Sequence, residues 1–107
     1  MEKDYYCDEI ISGNTPVKKI KETKNVLSFY HTAPSYELHL VIVPKRHIAD
    51  LSELSDTKLL GEIFEVIRAT IETLQIETYR LITNSGDYQD SKHLHFHLVS
   101  GKKLVNK

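Results

Sequence analysis

The 107 residues include one cysteine, no tryptophan, four glycines and three prolines. A single thiol, Cys7, permits no internal disulfide, fits a reducing compartment and reads as a small packing residue beside aromatics; a cytoplasmic chain is the expectation. No Pro/Gly/Ser-rich linker, repeat or low-complexity tract divides the sequence, so residues 1–107 are expected to form a single domain. Apolar runs are short: Leu40-Val41-Ile42-Val43 compares with about 20 residues for a membrane span, and no membrane partner is expected. The start, Met1-Glu2-Lys3-Asp4-Tyr5-Tyr6, carries acidic residues where a signal peptide needs an apolar core. Neither sign of charge dominates, with 14 Lys and Arg against 15 Asp and Glu. That balance argues against a broad basic surface and hence against nucleic-acid binding.

What the sequence does have is six histidines, three of them at His93, His95 and His97, and 40% hydrophobic residues. Such a chain can close one core, burying roughly two-thirds of its unfolded surface. Tyr6, Ile10 and Ile11 have helical spacing, and Gly13 supplies a left-handed stop to a short first helix. Val17 to Glu22 and Val26 to Tyr30, joined by a polar turn, read as a hairpin. Glu37 to Pro44 is a β-branched strand ended by its proline, with His39 on the face of Val41 and Val43. Ser55 to Gln75 is the long helix: Leu59, Leu60, Ile63, Phe64, Ile67, Ile71 and Leu74 recur at three and four. Tyr79 to Thr83, a turn at Asn84-Ser85-Gly86, and His93 to Val99 complete the order. The predicted class is α+β, an antiparallel sheet with a short helix and a long one covering one face.

Along a strand, His93, His95 and His97 would share one face while Leu94, Phe96 and Leu98 take the core side. Three readings of this face compete. The histidines could be solvated polar residues, although strict alternation argues against it. They could bind metal, since His-x-His presents two imidazoles to one ion. Or they could do nucleophilic chemistry on phosphorus, because neutral imidazole attacks a phosphoryl centre to give a phosphoramidate that water discharges. The middle histidine is then the nucleophile: its neighbours fix its ring and disfavour its protonation, and can donate to phosphate oxygens.

His93-Leu94-His95-Phe96-His97-Leu98-Val99 resembles the His-φ-His-φ-His-φ-φ signature (φ apolar) of the histidine triad (HIT) family. Tyr6 to Lys102 is similar to its small nucleotide-binding, phosphoramidase-like branch, through Ile10-Ile11, Pro16, Val26-Leu27-Ser28-Phe29, Pro34, Leu38 to His47, Tyr79 to Gly86 and Gly101-Lys102. The resemblance implies a five-stranded antiparallel sheet with two helices, a homodimer, and hydrolysis of a purine nucleoside phosphoramidate or related nucleoside 5′-phosphate derivative, adenosine or guanosine. It makes His95 the nucleophile, forming a covalent nucleotidyl intermediate, with His93 and His97 orienting it and binding phosphate and His39 in support. Asn84, with Gln89, Asp90 and Ser91 in the loop before the triad, would lie on the phosphate side, and Tyr6, Ile10, Phe29 and Val41 would line the nucleoside pocket or pack as core. His47 follows the Pro-Lys-Arg turn, where an exposed or structural role is expected. Hydrolysis of dinucleoside polyphosphates, or nucleotide binding with weakened catalysis, are the alternative activities.

Two departures stand out. The branch's ribose-binding aspartate is His31 here, which as a neutral acceptor takes one hydrogen bond where a carboxylate takes two. Asp90 falls where the branch has a hydroxyl, and an ionised carboxylate there repels phosphate unless it turns away; Ser91 is placed to take over the hydroxyl's role. A zinc-binding subset carries a Cys-x-x-Cys pair at the positions of Tyr5 and Asp8. Neither a metal nor any other cofactor is therefore expected.

Overall fold

Alternation on two long strands determines the architecture. The computed structural model describes residues 4–104; Met1 to Lys3, in the N-terminal segment tested for a signal peptide, lie outside them. The strands are β1 (Lys19–Glu22), β2 (Val26–Tyr30), β3 (Tyr36–Pro44), β4 (Arg80–Thr83) and β5 (Phe96–Lys103), in the spatial order β1-β2-β3-β5-β4. Every neighbouring pair is antiparallel. The long helix α1 (Thr57–Leu74) and a six-residue π-helical segment, Tyr6–Ile11, complete the five-stranded α+β fold expected from the sequence.

Leu40 and Ile42 of β3 and Phe96 and Leu98 of β5 share one face and pack with Leu59, Ile63, Val66 and Ile67 of α1. Burying each such side chain stabilises the fold by roughly 1.5–3 kcal/mol before the entropy of ordering is subtracted. The helix starts at Thr57, two residues after the sequence reading, because Asp56 is its cap: the carboxylate accepts from the Leu59 N–H at 3.1 Å, an arrangement worth about 1 kcal/mol. It stops at Gln75, in the left-handed region at φ 52°.

The other face carries a second, smaller core. Leu27 and Phe29 of β2 and Val41 and Val43 of β3 pack there under Tyr6 and Ile10 of the π-helical segment. Gly13, at φ +87°, ends that segment, and its N–H donates to the Ile10 carbonyl. Among the described residues no helix is long and apolar enough to cross a membrane.

The histidine-bearing strand is shorter at its start than the alternation suggests. Pairing of β5 with β3 begins at Phe96, opposite Ile42. Continuing that register would set Leu94 against Pro44, which has no N–H to give a ladder. The backbone bonds elsewhere instead: the Leu94 N–H donates to the Ile48 carbonyl at 2.6 Å, and the His95 carbonyl accepts from the Thr83 hydroxyl at 2.9 Å. His93 and His95 thus sit on a pinned segment leading into the strand, and only His97 stands on the strand itself.

Candidate active site

The hydrogen-bond partners assign a proton to one nitrogen of each of His95, His39 and His97. His95 Nδ1 lies 2.7 Å from the His93 carbonyl oxygen, which can only accept, so Nδ1 carries the proton and Nε2 keeps its lone pair. His39 Nδ1 accepts the Ser35 N–H at 2.9 Å; its proton is therefore on Nε2, which donates to His97 Nδ1 at 2.9 Å. It follows that His97 carries its own proton on Nε2. A nucleophilic lone pair on one ring and a proton donor on the next lie side by side, with ring centroids 4.8 Å apart.

Burial keeps these rings neutral. His97 is pushed down to about 3, first by burial and then by the nearby His95, His39 and His31. His39 falls to about 4 through burial and the neighbouring His31. Burial also lowers His95, outweighing its bond to the His93 carbonyl, which favours the charged form. Near neutral pH the array is therefore a chain of oriented neutral imidazoles.

An open cavity of about 520 Å³ reaches this array, bounded by His31, His39, Asn84, Asp90 and His97 among others. Cavities of this size accommodate small-molecule ligands. His95 lies one ring deeper, 4% exposed, with the Tyr6 ring packed on it at 4.8 Å. Comparison of family models matches residues 12–104 to the HIT domain. The chain belongs to the HIT family.

Several HIT relatives cover it almost end to end. A HIT-like protein of Helicobacter pylori is 36% identical over 90% of this chain and 95% of its own length. The adenosine 5′-monophosphoramidase of Schizosaccharomyces pombe is 31% identical, spanning 88% of this chain and 71% of that protein. The solved HIT family hydrolase from Clostridium thermocellum superposes with a TM-score of 0.85 at 33% identity, covering all of this chain and 97% of the other.

Within this HIT fold the expected site residues other than His93 and His95 fall into three groups. His31, His39, Asn84, Asp90 and His97 meet at the cavity. Tyr6, Ile10, Phe29 and Val41 form the second core, all at most 7% exposed, and join the site through Tyr6 on His95. The loop before the triad holds the rest. Gln89 Nε2 ties the loop to the Ala49 carbonyl at 2.8 Å, and the buried Ser91 hydroxyl has no partner among the described residues. His31 Nδ1 accepts the Ala33 N–H at 2.9 Å, so this ring, 4.3 Å from His39, also carries its proton on Nε2.

His93 is occupied on both sides. Fully buried, it donates from Nε2 to the Pro44 carbonyl at 2.7 Å and directs Nδ1 at Asp4 and Cys7. Its link to His95 is its backbone carbonyl. Sequence reasoning passed over Asp4 and the Ser35 N–H. A usable signal for the first was the Asp4-x-x-Cys7 spacing, one residue earlier than the Tyr5 and Asp8 positions considered for metal. The Ser35 contact is a backbone contact, for which side-chain patterns hold no signal.

Proposed function

We propose that this HIT protein hydrolyses a nucleoside 5′-phosphoramidate or related nucleoside 5′-phosphate derivative through a nucleotidyl intermediate on His95. The observation that carries the reading is the ordered proton pattern: a bare Nε2 on His95 beside an Nε2–H on His97. Attack by the His95 lone pair forms a P–N bond and breaks the bond to the leaving group, which departs with a proton from solvent, while His97 Nε2–H donates a hydrogen bond to a phosphate oxygen. Water then attacks the same phosphorus, releases its proton to solvent, and returns the P–N electron pair to His95. The Ser35–His39–His97 chain holds the donor nitrogen of His97 in place throughout, so His39 is a positioning residue.

Phosphate recognition draws on the loop before the triad. Asn84 stands on the same cavity wall as His97 and supplies an amide donor for a phosphate oxygen. His31 Nδ1 already accepts the Ala33 N–H, so this atom does not accept from a ribose hydroxyl as a carboxylate would. The names of relatives support the phosphoramidate class: the S. pombe protein is an adenosine 5′-monophosphoramidase.

Steady-state turnover of adenosine 5′-phosphoramidate, beside a diadenosine polyphosphate, tests this. Preferential turnover of the phosphoramidate is expected. A parent protein that cleaves neither substrate overturns the proposal, and preference for the dinucleotide reassigns the substrate class.

A further inference from the structure

The loop between β4 and the triad carries a ring that the fold leaves almost bare. Tyr88, at the end of the 3₁₀ turn Gly86–Tyr88, is 84% exposed, against 47% or less for every other large hydrophobic residue described. Asn84 and Asp90, on either side of it in the chain, both stand on the cavity wall. Tyr88 is two positions from Asp90, so their Cα atoms lie at most about 7 Å apart. The ring therefore stands at the rim of the cavity, outside its lining.

A lone exposed ring is ordinary on a protein surface. This one is carried on a backbone that is already held. Ser85 Oγ donates to Asp50 Oδ2 at 2.7 Å and Gln89 Nε2 to the Ala49 carbonyl at 2.8 Å. The Gln89 N–H and Lys92 Nζ both donate to the Gly86 carbonyl, at 3.0 and 2.6 Å. A ring on an ordered loop loses little freedom when a ligand covers it, which is what a recognition platform needs.

The position of His95 decides which part of a substrate arrives there. Phosphoryl transfer keeps the attacking and leaving atoms roughly in line. His95 lies deeper than His97 and is buried, so attack from inside sends the leaving group outward through the mouth, past the rim. Charge narrows the class of that group. Asp87 and Asp90 flank Tyr88, and Lys92, the one cation between Asn84 and His93, is engaged by the Gly86 carbonyl. A leaving group bearing a further phosphate meets two carboxylates; an uncharged one bearing a flat ring meets the face or edge of Tyr88.

Resting on the reading of His95 as the nucleophile, we infer that Tyr88 is a specificity-determining residue that packs against a planar, uncharged ring on the leaving group. Nucleoside 5′-phosphoramidates of arylalkyl amines are then preferred over the unsubstituted phosphoramidate.

The test compares two substrates within one protein, so a general loss of activity cancels. Adenosine 5′-phosphoramidate and its N-(2-naphthylethyl) derivative are offered to the parent, Tyr88→Phe and Tyr88→Ala, and the ratio of the two kcat/KM values is read. The parent and Tyr88→Phe should favour the naphthyl substrate. In Tyr88→Ala the ratio should fall about two- to twelvefold, the range of one aromatic pair. An unchanged ratio in Tyr88→Ala, or a parent that favours the unsubstituted substrate, overturns the inference. Binding separates this outcome from the hydrolase reading. The chain has no tryptophan, so naphthyl fluorescence can be excited apart from the protein. A parent inert to both substrates overturns the hydrolase reading, and titration of the naphthyl compound into that parent and into Tyr88→Ala still decides on Tyr88: weaker binding by the same factor supports its role, and equal or undetectable binding overturns it.

Discussion

Replacing His39 with phenylalanine removes two hydrogen bonds while nearly keeping the volume of the ring. The side chain is 7% exposed and bridges Ser35 N–H and His97 Nδ1, each at 2.9 Å. The Ser35 N–H sits in a partly exposed turn and can recover water, whereas His97 Nδ1 loses its donor inside the structure. Stranding that acceptor costs about 1–3 kcal/mol, which at about 4 °C per kcal/mol lowers the melting temperature by roughly 4–12 °C. The catalytic effect has a separate origin. Without the His39 donor, His97 loses a tautomeric bias of about 1–1.5 kcal/mol, a fall in kcat of roughly five- to twelvefold with KM unchanged. Calorimetry and steady-state kinetics on phosphoramidate read the two effects independently. A His39→Phe variant that melts lower but turns over at the parent kcat refutes the positioning role, and an unchanged melting temperature refutes the bond itself.

Other outcomes follow from the same geometry. Because His39 and His97 are held down to about 4 and about 3, the unfolded chain binds more protons than the folded one below the ordinary imidazole value of 6.5. Stability conferred by these neutral rings is complete above that value and is lost as the pH falls through the window, so the urea midpoint should drop between pH 7 and pH 4.5. Thr70→Val removes the 2.9 Å bond to the buried Ser28 hydroxyl, which keeps its bond from the Lys21 N–H, and should cost about 0.5–1.5 kcal/mol by urea denaturation with turnover unaffected. Ile63→Ala, at a fully buried position under the sheet, should cost about 2–5 kcal/mol in the same assay. Asp90→Asn removes a carboxylate from the cavity wall and should lower KM for an anionic substrate, more so at low salt; an unchanged KM would mean that Asp90 faces away from the phosphate.

The sequence exposed those parts of the fold that depend on side-chain period. Leu59, Ile63 and Ile67 repeat at helical spacing, and all three lie in the core as expected. Leu94, Phe96 and Leu98 likewise take the helix-covered face. What remained hidden depends on backbone groups and on local register. The missing N–H of Pro44 starts β5 at Phe96, so the triad is not a row of three rings on one regular strand. Asp4, just before the π-helical segment, and Cys7, within it, both reach His93 Nδ1, a contact for which side-chain period holds no signal. The resemblance brought His31, His39, Asn84, Asp90 and His97 into view, and the structure places all five at one cavity; the directions of their protons required the carbonyl and N–H partners.

The central claim is that His95 Nε2 becomes bonded to phosphorus, and trapping that bond tests it most directly. The parent protein, mixed with adenosine 5′-phosphoramidate and quenched in alkali within a turnover, is analysed by intact mass and peptide mapping. The account predicts an acid-labile adenylyl group on the peptide holding His95, absent from His95→Ala, which should also show no turnover. Turnover in the parent with no adduct at any quench time, or a His95→Ala protein as active as the parent, would contradict it.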